Sequence, residues 1–374
     1  MTLTWAEVDL SAVQHNLRRM KALTGTRVMA VVKANAYGHG AVEAARTAAE
    51  AGADWLGVAR AEEGLALRAA GLALPILVMG YTPPTLASEA VGRDLTLAVF
   101  DPDAAQAYAA AARAINRSAR VHVKVDTGMG RLGLLPEDAP GFVAALNALP
   151  GLWVEGLFTH FANADSQPSP SGSGAGGEGE FSARKQLSLF QSVLSALPSR
   201  PALAHACNSA GALALPEARL DLVRLGIALY GLDPSAEVPC PPGFRPALAW
   251  KARVTQVKVL PPGHGVSYGS QYVTTERETI AVVGAGYADG YRRVLNVNEV
   301  LLHGRRAPVR GRVCMDQIVA GVTHLPAVRA GDEAVLLGAQ GGEVISAGEL
   351  ARKWGTINYD VTSGIMARVP RVFV

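Results

Sequence analysis

Cysteine is scarce: only Cys207, Cys240 and Cys314 occur in 374 residues. Three scattered thiols are too few for a disulfide framework or a thiolate zinc site, and a reducing compartment suits them. Long apolar runs are also missing, and no uninterrupted stretch approaches the roughly 18 residues that a membrane helix needs. Charge of one sign is lacking as well. A net charge of +3 provides no strongly basic or acidic surface for nucleic acid or an anionic membrane. The opening MTLTWAEVDL has neither the basic start nor the apolar core of a secretory signal. Together these absences predict a cytoplasmic protein with no metal, no nucleic-acid partner and no membrane.

What is present is a hydrophobic content of 49% beside 18% charged residues, the balance of a globule with a substantial core. The length allows two domains. Short apolar runs at 28–33, 53–59, 75–80, 95–100, 120–127, 153–160, 203–209 and 222–230 alternate with alanine-rich segments that favour helix. Eight such β/α repeats predict an α/β fold, a (β/α)8 TIM barrel. An open doubly wound sheet is the alternative, but no glycine fingerprint follows the first strand. After Asp233 the proline-rich DPSAEVPCPPGFRPAL reads as a linker. Beyond it lie β-branched runs separated by Gly and Pro, a mostly β pattern interrupted by one helix at about 347–353. The expected organisation is a barrel domain over 1–233 and a C-terminal β domain over 234–374. A strand at 4–9, followed by a helix at 11–22, is expected to pair with the second domain. The Ser/Gly/Pro-rich stretch 166–179 reads as a surface insertion without a catalytic role.

The segment AVVKANAYGHG poses the chemical question. A buried ammonium is costly unless paired or used, so Lys33 either snorkels to solvent or is a nucleophilic amine on the barrel rim. Other polar residues also fall at predicted strand ends, where barrel enzymes gather their function. Tyr37 follows Lys33; Lys124, Asp126 and Arg131 follow the fifth strand; His160 ends the sixth. Asn208 and Ser209 end the seventh, and Arg224 lies in the eighth. Singly, His160 could be a core histidine, Arg224 a structural ion pair and Ser209 a helix cap. Five converging strand ends with cations and donors fit a phosphorylated cofactor and a carboxylate substrate.

The motifs VVKANAYGHG, DTGMGRLG, THFANAD, NSAG, VRLGIALYG, VSYG, GYADGY and CMDQ, in this order, resemble the alanine racemase family. The resemblance implies a TIM barrel that binds pyridoxal 5′-phosphate (PLP), a C-terminal β domain and a homodimer with shared active sites. It also implies interconversion of L- and D-alanine, supplying D-alanine for peptidoglycan. By this resemblance Lys33 forms the internal aldimine and serves as one base. Tyr37, Ser209, the backbone at Gly226 and Ile227, and Tyr359 hold the phosphate, while Arg224 faces the pyridine nitrogen. Tyr268 would act from the partner subunit as the second base, its phenol favoured as phenolate by His160 and Arg224. Arg131 and the Met315 backbone meet the substrate carboxylate, Asp316 supports that turn, and Tyr287 with Tyr359 narrows the entrance. Lys124 would be carbamylated and hold Arg131; a plain salt bridge from Lys124 is the other reading. Serine or broader amino-acid racemisation, a PLP decarboxylase and a non-catalytic PLP carrier are the alternatives. The carrier would lack the domain bearing Tyr268.

Overall fold

The computed structural model describes residues 2–166 and 182–374. Apart from Ser166, the stretch expected to be a surface insertion lies outside the described residues. The chain forms two compact units: Ala12–Ala36 with Ala41–Arg245, and Met1–Ser11 with Tyr37–Gly40 and Pro246–Val374.

Strand β1 (Thr4–Val8) and helix α1 (Leu10–Thr24) open the chain. The barrel strands follow as β2 (Arg27–Val31), β3 (Trp55–Val58), β4 (Ile76–Val78) and β5 (Leu95–Val99). They continue as β6 (Ala119–Lys124), β7 (Leu152–Phe158), β8 (Leu203–His205) and β9 (Leu222–Leu225). All pair in parallel in the order β8-β7-β6-β5-β4-β3-β2-β9. Two backbone hydrogen bonds, Asp221 N–H to Ala204 O at 3.1 Å and Arg224 N–H to Cys207 O at 3.0 Å, span the seam between β8 and β9. The fold is therefore a near-closed TIM barrel. Between strands run α2 (Ala41–Glu50), α3 (Ala61–Ala69), α4 (Ala87–Gly92), α5 (Pro102–Ala114), α6 (Ala139–Asn147), α7 (Ala183–Ala196) and α8 (Ser209–Ala214). Local chemistry starts them: Asp101 accepts from Ala104 N–H ahead of Pro102 at the head of α5, and Ser182 caps α7 through Lys185 N–H. Strands β3, β4, β5 and β9 are buried throughout, as parallel strands covered on both faces must be. Truncating a fully buried residue such as Leu97 would cost about 2–5 kcal/mol.

Every barrel strand is shorter than its apolar run suggested, β8 and β9 most of all. After Leu225 the backbone turns at Gly226 into a 3-10 turn, Ile227–Tyr230. After His205 the chain leaves the sheet and enters α8, whose cap is Asn208, accepting from Gly211 N–H at 2.9 Å. Ser209 is thereby released from capping.

In the other unit β10 (Leu248–Leu260) is the long central strand, alternately buried and partly exposed over its first seven residues. The remaining strands are β11 (Gly265–Val266), β12 (Tyr272–Val273), β13 (Glu278–Val283), β14 (Glu299–Leu302) and β15 (Arg305–Pro308). They are followed by β16 (Ile318–Gly321), β17 (Glu333–Gln340), β18 (Glu343–Ile345) and β19 (Arg371–Phe373). The main path runs β15-β14-β17-β10-β1-β19, with β1 antiparallel to β10 and parallel to β19. Two helices occur here, α9 (Ala347–Trp354) and α10 (Asn358–Ser363). The second was not expected, because NYDVTS is built from residues of modest helix propensity.

Candidate active site

The residues after β2 form a left-handed turn. Ala34, Asn35, Ala36 and Tyr37 all have φ between 52° and 55°, a region that disfavours L-residues by about 1–2 kcal/mol each. Specific bonds hold it: Ala36 N–H donates to Val32 O at 2.9 Å, and Asn35 Oδ1 accepts from Ala41 N–H at 2.8 Å. Glu63, on the neighbouring α3, accepts Ala34 N–H at 2.6 Å through one oxygen. Its other oxygen accepts from Ala59 and Arg60 N–H at 2.8 and 3.1 Å. The turn reverses the chain within four residues of Lys33. Strain of this kind marks functional positions.

Around Lys33 the barrel assembles a cationic cluster. Burial, then the Arg131 guanidinium, lowers the Lys33 pKa, with Glu63 opposing and Arg224 adding to the effect. Lys124 is 6% exposed, its Nζ 4.6 Å from the Phe158 ring centroid. Burial and the Arg224 and Arg131 charges bring its pKa to about 7. No carboxylate pairs with it among the described residues. Asp126 organises the loop that carries Arg131. Burial alone would raise its pKa, but N–H bonds from Gly128, Gly130, Arg131 and Met129 outweigh that and lower it.

Arg224 is fixed by four acceptors. Nη1 meets His205 Nδ1 at 2.9 Å, and Nη2 meets Thr159 O and Ala206 O at 2.8 Å and His160 Nδ1 at 3.2 Å. Burial first, then Arg224, depresses the His160 pKa well below its ordinary value, so the ring is neutral. Arginine has no acceptor, so His160 Nδ1 is the lone pair and Nε2 carries the proton. The positive charge beside His160 therefore belongs to Arg224, not to the imidazole. Behind Arg224, His205 Nε2 lies 2.9 Å from His122 Nδ1, and His122 Nε2 lies 3.6 Å from Glu155. Gly156 makes room for this line, since a Cβ there would sit 2.8 Å from the His122 ring.

Ser209 Oγ, nearly buried, accepts from Gly226 N–H at 2.9 Å and Ala228 N–H at 3.4 Å. A hydroxyl and a run of backbone amides at the start of a 3-10 turn form a neutral donor set suited to a phosphate. In the other unit the rings of Tyr37 and Tyr359 are 6.0 Å apart. Arg371 Nε donates to Gly38 O at 2.8 Å, and its other nitrogens donate to Ile365, Met366 and Val369 carbonyls. Tyr268 is 67% exposed and lines one surface depression with Ser267, Cys314, Met315 and Asp316, and an adjoining one with Tyr287 and Arg293. Met315 O and Cys314 O accept from Ala288 and Tyr287 N–H, an approach possible because Gly286 has no Cβ. Arg368 bridges Asp316 and Asp289 at 2.6 and 2.7 Å.

Lys33, Lys124, Arg131, His160, Ser209, Arg224, Gly226 and Ile227 all belong to the barrel unit; Tyr37, Tyr268, Tyr287, Met315, Asp316 and Tyr359 belong to the other. Sequence reading missed Glu63, His122, Glu155 and His205. His205 stands in the apolar run 203–209, and Glu63 falls three residues after the α3 cap, a spacing that marks helix starts.

A TIM barrel with a desolvated lysine, an anchored arginine and a neutral histidine at its strand ends, continued in the chain by a mostly β unit, defines a class of barrel enzymes with a cationic strand-end site. Residues 8–234 match the family described as alanine racemase, N-terminal domain, and residues 247–373 match alanine racemase, C-terminal domain. The chain belongs to the alanine racemase family. It is 49% identical to an alanine racemase of Symbiobacterium thermophilum over 100% of this chain and 97% of that protein. It is 46% identical to one of Desulfovibrio desulfuricans, over 99% and 98%. Among solved structures, alanine racemase from D-cycloserine-producing Streptomyces lavendulae superposes with a TM-score of 0.93 at 42% identity, covering 100% of this chain and 97% of that one.

Proposed function

We propose that this protein racemises alanine, interconverting the L and D enantiomers with PLP as cofactor and supplying D-alanine for cell-wall peptidoglycan in the cytoplasm. The observation that carries the reading is Lys33, a half-buried amine of lowered pKa beside the anchored Arg224, in a chain of this family. The donor set fits the cofactor. Ser209, Gly226 and Ile227 on the barrel side, with Tyr37 and Tyr359, would hold the phosphate, and Arg224 would face the ring nitrogen. When bound, PLP supplies the electron sink that lets the Cα–H bond of alanine ionise.

Racemisation requires a proton to leave one face of Cα and another to arrive at the opposite face. Lys33, its pKa lowered by burial and by the Arg131 charge, accepts and returns the proton on one face. The partner's Tyr268 serves the other face in a homodimer with shared sites, consistent with the exposure of that phenol. His160 presents Nε2–H as a donor that favours the phenolate, and Arg224 adds positive charge behind it. Because arginine only donates, Arg224 would offer the ring nitrogen an N–H and would leave it without a proton of its own, which would moderate its electron withdrawal. Arg131 and the Met315 amide orient the substrate carboxylate, with Lys124 as a carbamate steadying Arg131. Tyr287 and Tyr359 restrict the entrance to small side chains. The test is loss of optical rotation from L-alanine by PLP-loaded protein, abolished in Lys33→Ala. Retained turnover in that variant overturns the assignment.

A further inference from the structure

We propose that Glu63 is the positioning residue for Lys33, its carboxylate clamping the first amide of the left-handed turn while placing a negative charge beside the lysine amine. The inference rests on the reading that Lys33 carries PLP. One carboxylate spans two β/α units. Through Oε2 it closes the α3 start at Ala59 and Arg60, and through Oε1 it reaches Ala34, the residue after Lys33. Strands β2 and β3 are adjacent, which brings the α3 start beside the turn. A helix cap needs only the first pair of bonds. The third, at 2.6 Å, ties a strained backbone to a rigid helix, so the direction of the lysine stem is set by α3. The charges facing Lys33 are otherwise positive: Arg131 on the loop after β6, Lys124 on β6 and Arg224 on β9, with neutral His160 after β7. Glu63 on α3 opposes them.

The test follows PLP capture by cofactor-stripped, full-length protein against pH, read as visible absorbance and as borohydride-trapped adduct at Lys33. Glu63→Gln removes the charge and leaves one acceptor oxygen for three amides. Capture should then begin at lower pH, the midpoint falling by about half to one pH unit, since an anion no longer favours the ammonium. The plateau rate should drop about tenfold through misdirection of the amine. Glu63→Asp keeps the charge but is too short to bridge; its midpoint should stay and its plateau fall. Leu67→Ala, buried on α3 away from the turn, loosens the helix alone and should change neither. If both Glu63 variants lose thermal stability yet keep the wild-type midpoint and plateau, Glu63 is only a helix cap and the proposal is overturned. Failure of the wild type to form an adduct at Lys33 would instead remove the cofactor reading.

Discussion

Arg224 Nη1 donates to Nδ1 of His205 across 2.9 Å, and this bond sets the protons of a buried line through the barrel. Since the guanidinium cannot accept, His205 carries its proton on Nε2 and donates to His122 Nδ1, which leaves His122 Nε2–H facing Glu155. Burial, followed by Arg224, holds His205 well below the usual imidazole range, and burial lowers His122.

Nitrogen-15 NMR should accordingly find both rings as neutral Nε2–H tautomers at pH 7. Imidazoles of the unfolded chain take up protons below about pH 6.5 while these do not, so their contribution makes stability fall as pH drops below that value. His205→Ala strands a buried charged donor and should cost about 1–3 kcal/mol. His205→Asn, whose Oδ1 replaces Nδ1 as acceptor, should recover part of the stability and of the turnover. An Asn variant no better than Ala would refute the acceptor role.

Lys124, with a pKa of about 7 and no carboxylate pair among the described residues, should react with dissolved CO2. The neutral amine adds to carbon and releases one proton, giving a carbamate. Protein equilibrated with carbon-13 bicarbonate should show a carbamate resonance that is absent in Lys124→Ala and is lost as pH falls below about 7. Activity should decline after exhaustive degassing at mildly acid pH and return with bicarbonate. A silent spectrum from active enzyme would eliminate the modification.

If the partner's Tyr268 serves Lys33, then Lys33→Ala and Tyr268→Phe homodimers are both inactive. Random exchange of equal amounts makes half the dimers mixed, and each mixed dimer holds one intact site. About a quarter of wild-type activity should return. With exchange verified by mass-tagged subunits, no recovery means that both residues come from one chain.

Arg306 joins β15 to α9 by donating to Glu349 at 2.7 and 3.0 Å, with Glu299 and Glu343 each at 3.0 Å. The Arg306 hydrogen bonds are the main reason the Glu349 pKa sits at about 2, below its ordinary value. A carboxyl more acidic in the folded state stabilises above its unfolded pKa of about 4.3 and loses that contribution as pH falls toward 2. Glu349→Gln should destabilise by about 1–3 kcal/mol at pH 7, and its melting curve should converge on the wild type near pH 2. Parallel curves across that range would count against the linkage.

The alternation of apolar runs with alanine-rich segments was enough to specify the barrel, because hydrophobic period and strand burial are local properties. Lys33, Lys124, His160, Arg224 and Ser209 were legible for the same reason: each lies at or near the carboxyl end of a predicted barrel strand. Other features were invisible at that level. ANAY contains no glycine, so nothing in it announces four left-handed residues. Only a carboxylate 29 positions away, together with the Val32 and Ala41 contacts, makes that turn tolerable. Nor could the pattern tell that Asn208 caps α8 and frees Ser209 for the Gly226 amide. His122, His205 and Arg224 meet across 83 and 19 residues of chain. Sequence periodicity determined which residues are buried and which elements they form. Tertiary structure alone decided which buried donor meets which acceptor, since desolvated polar groups need partners that a closing barrel brings from distant strands.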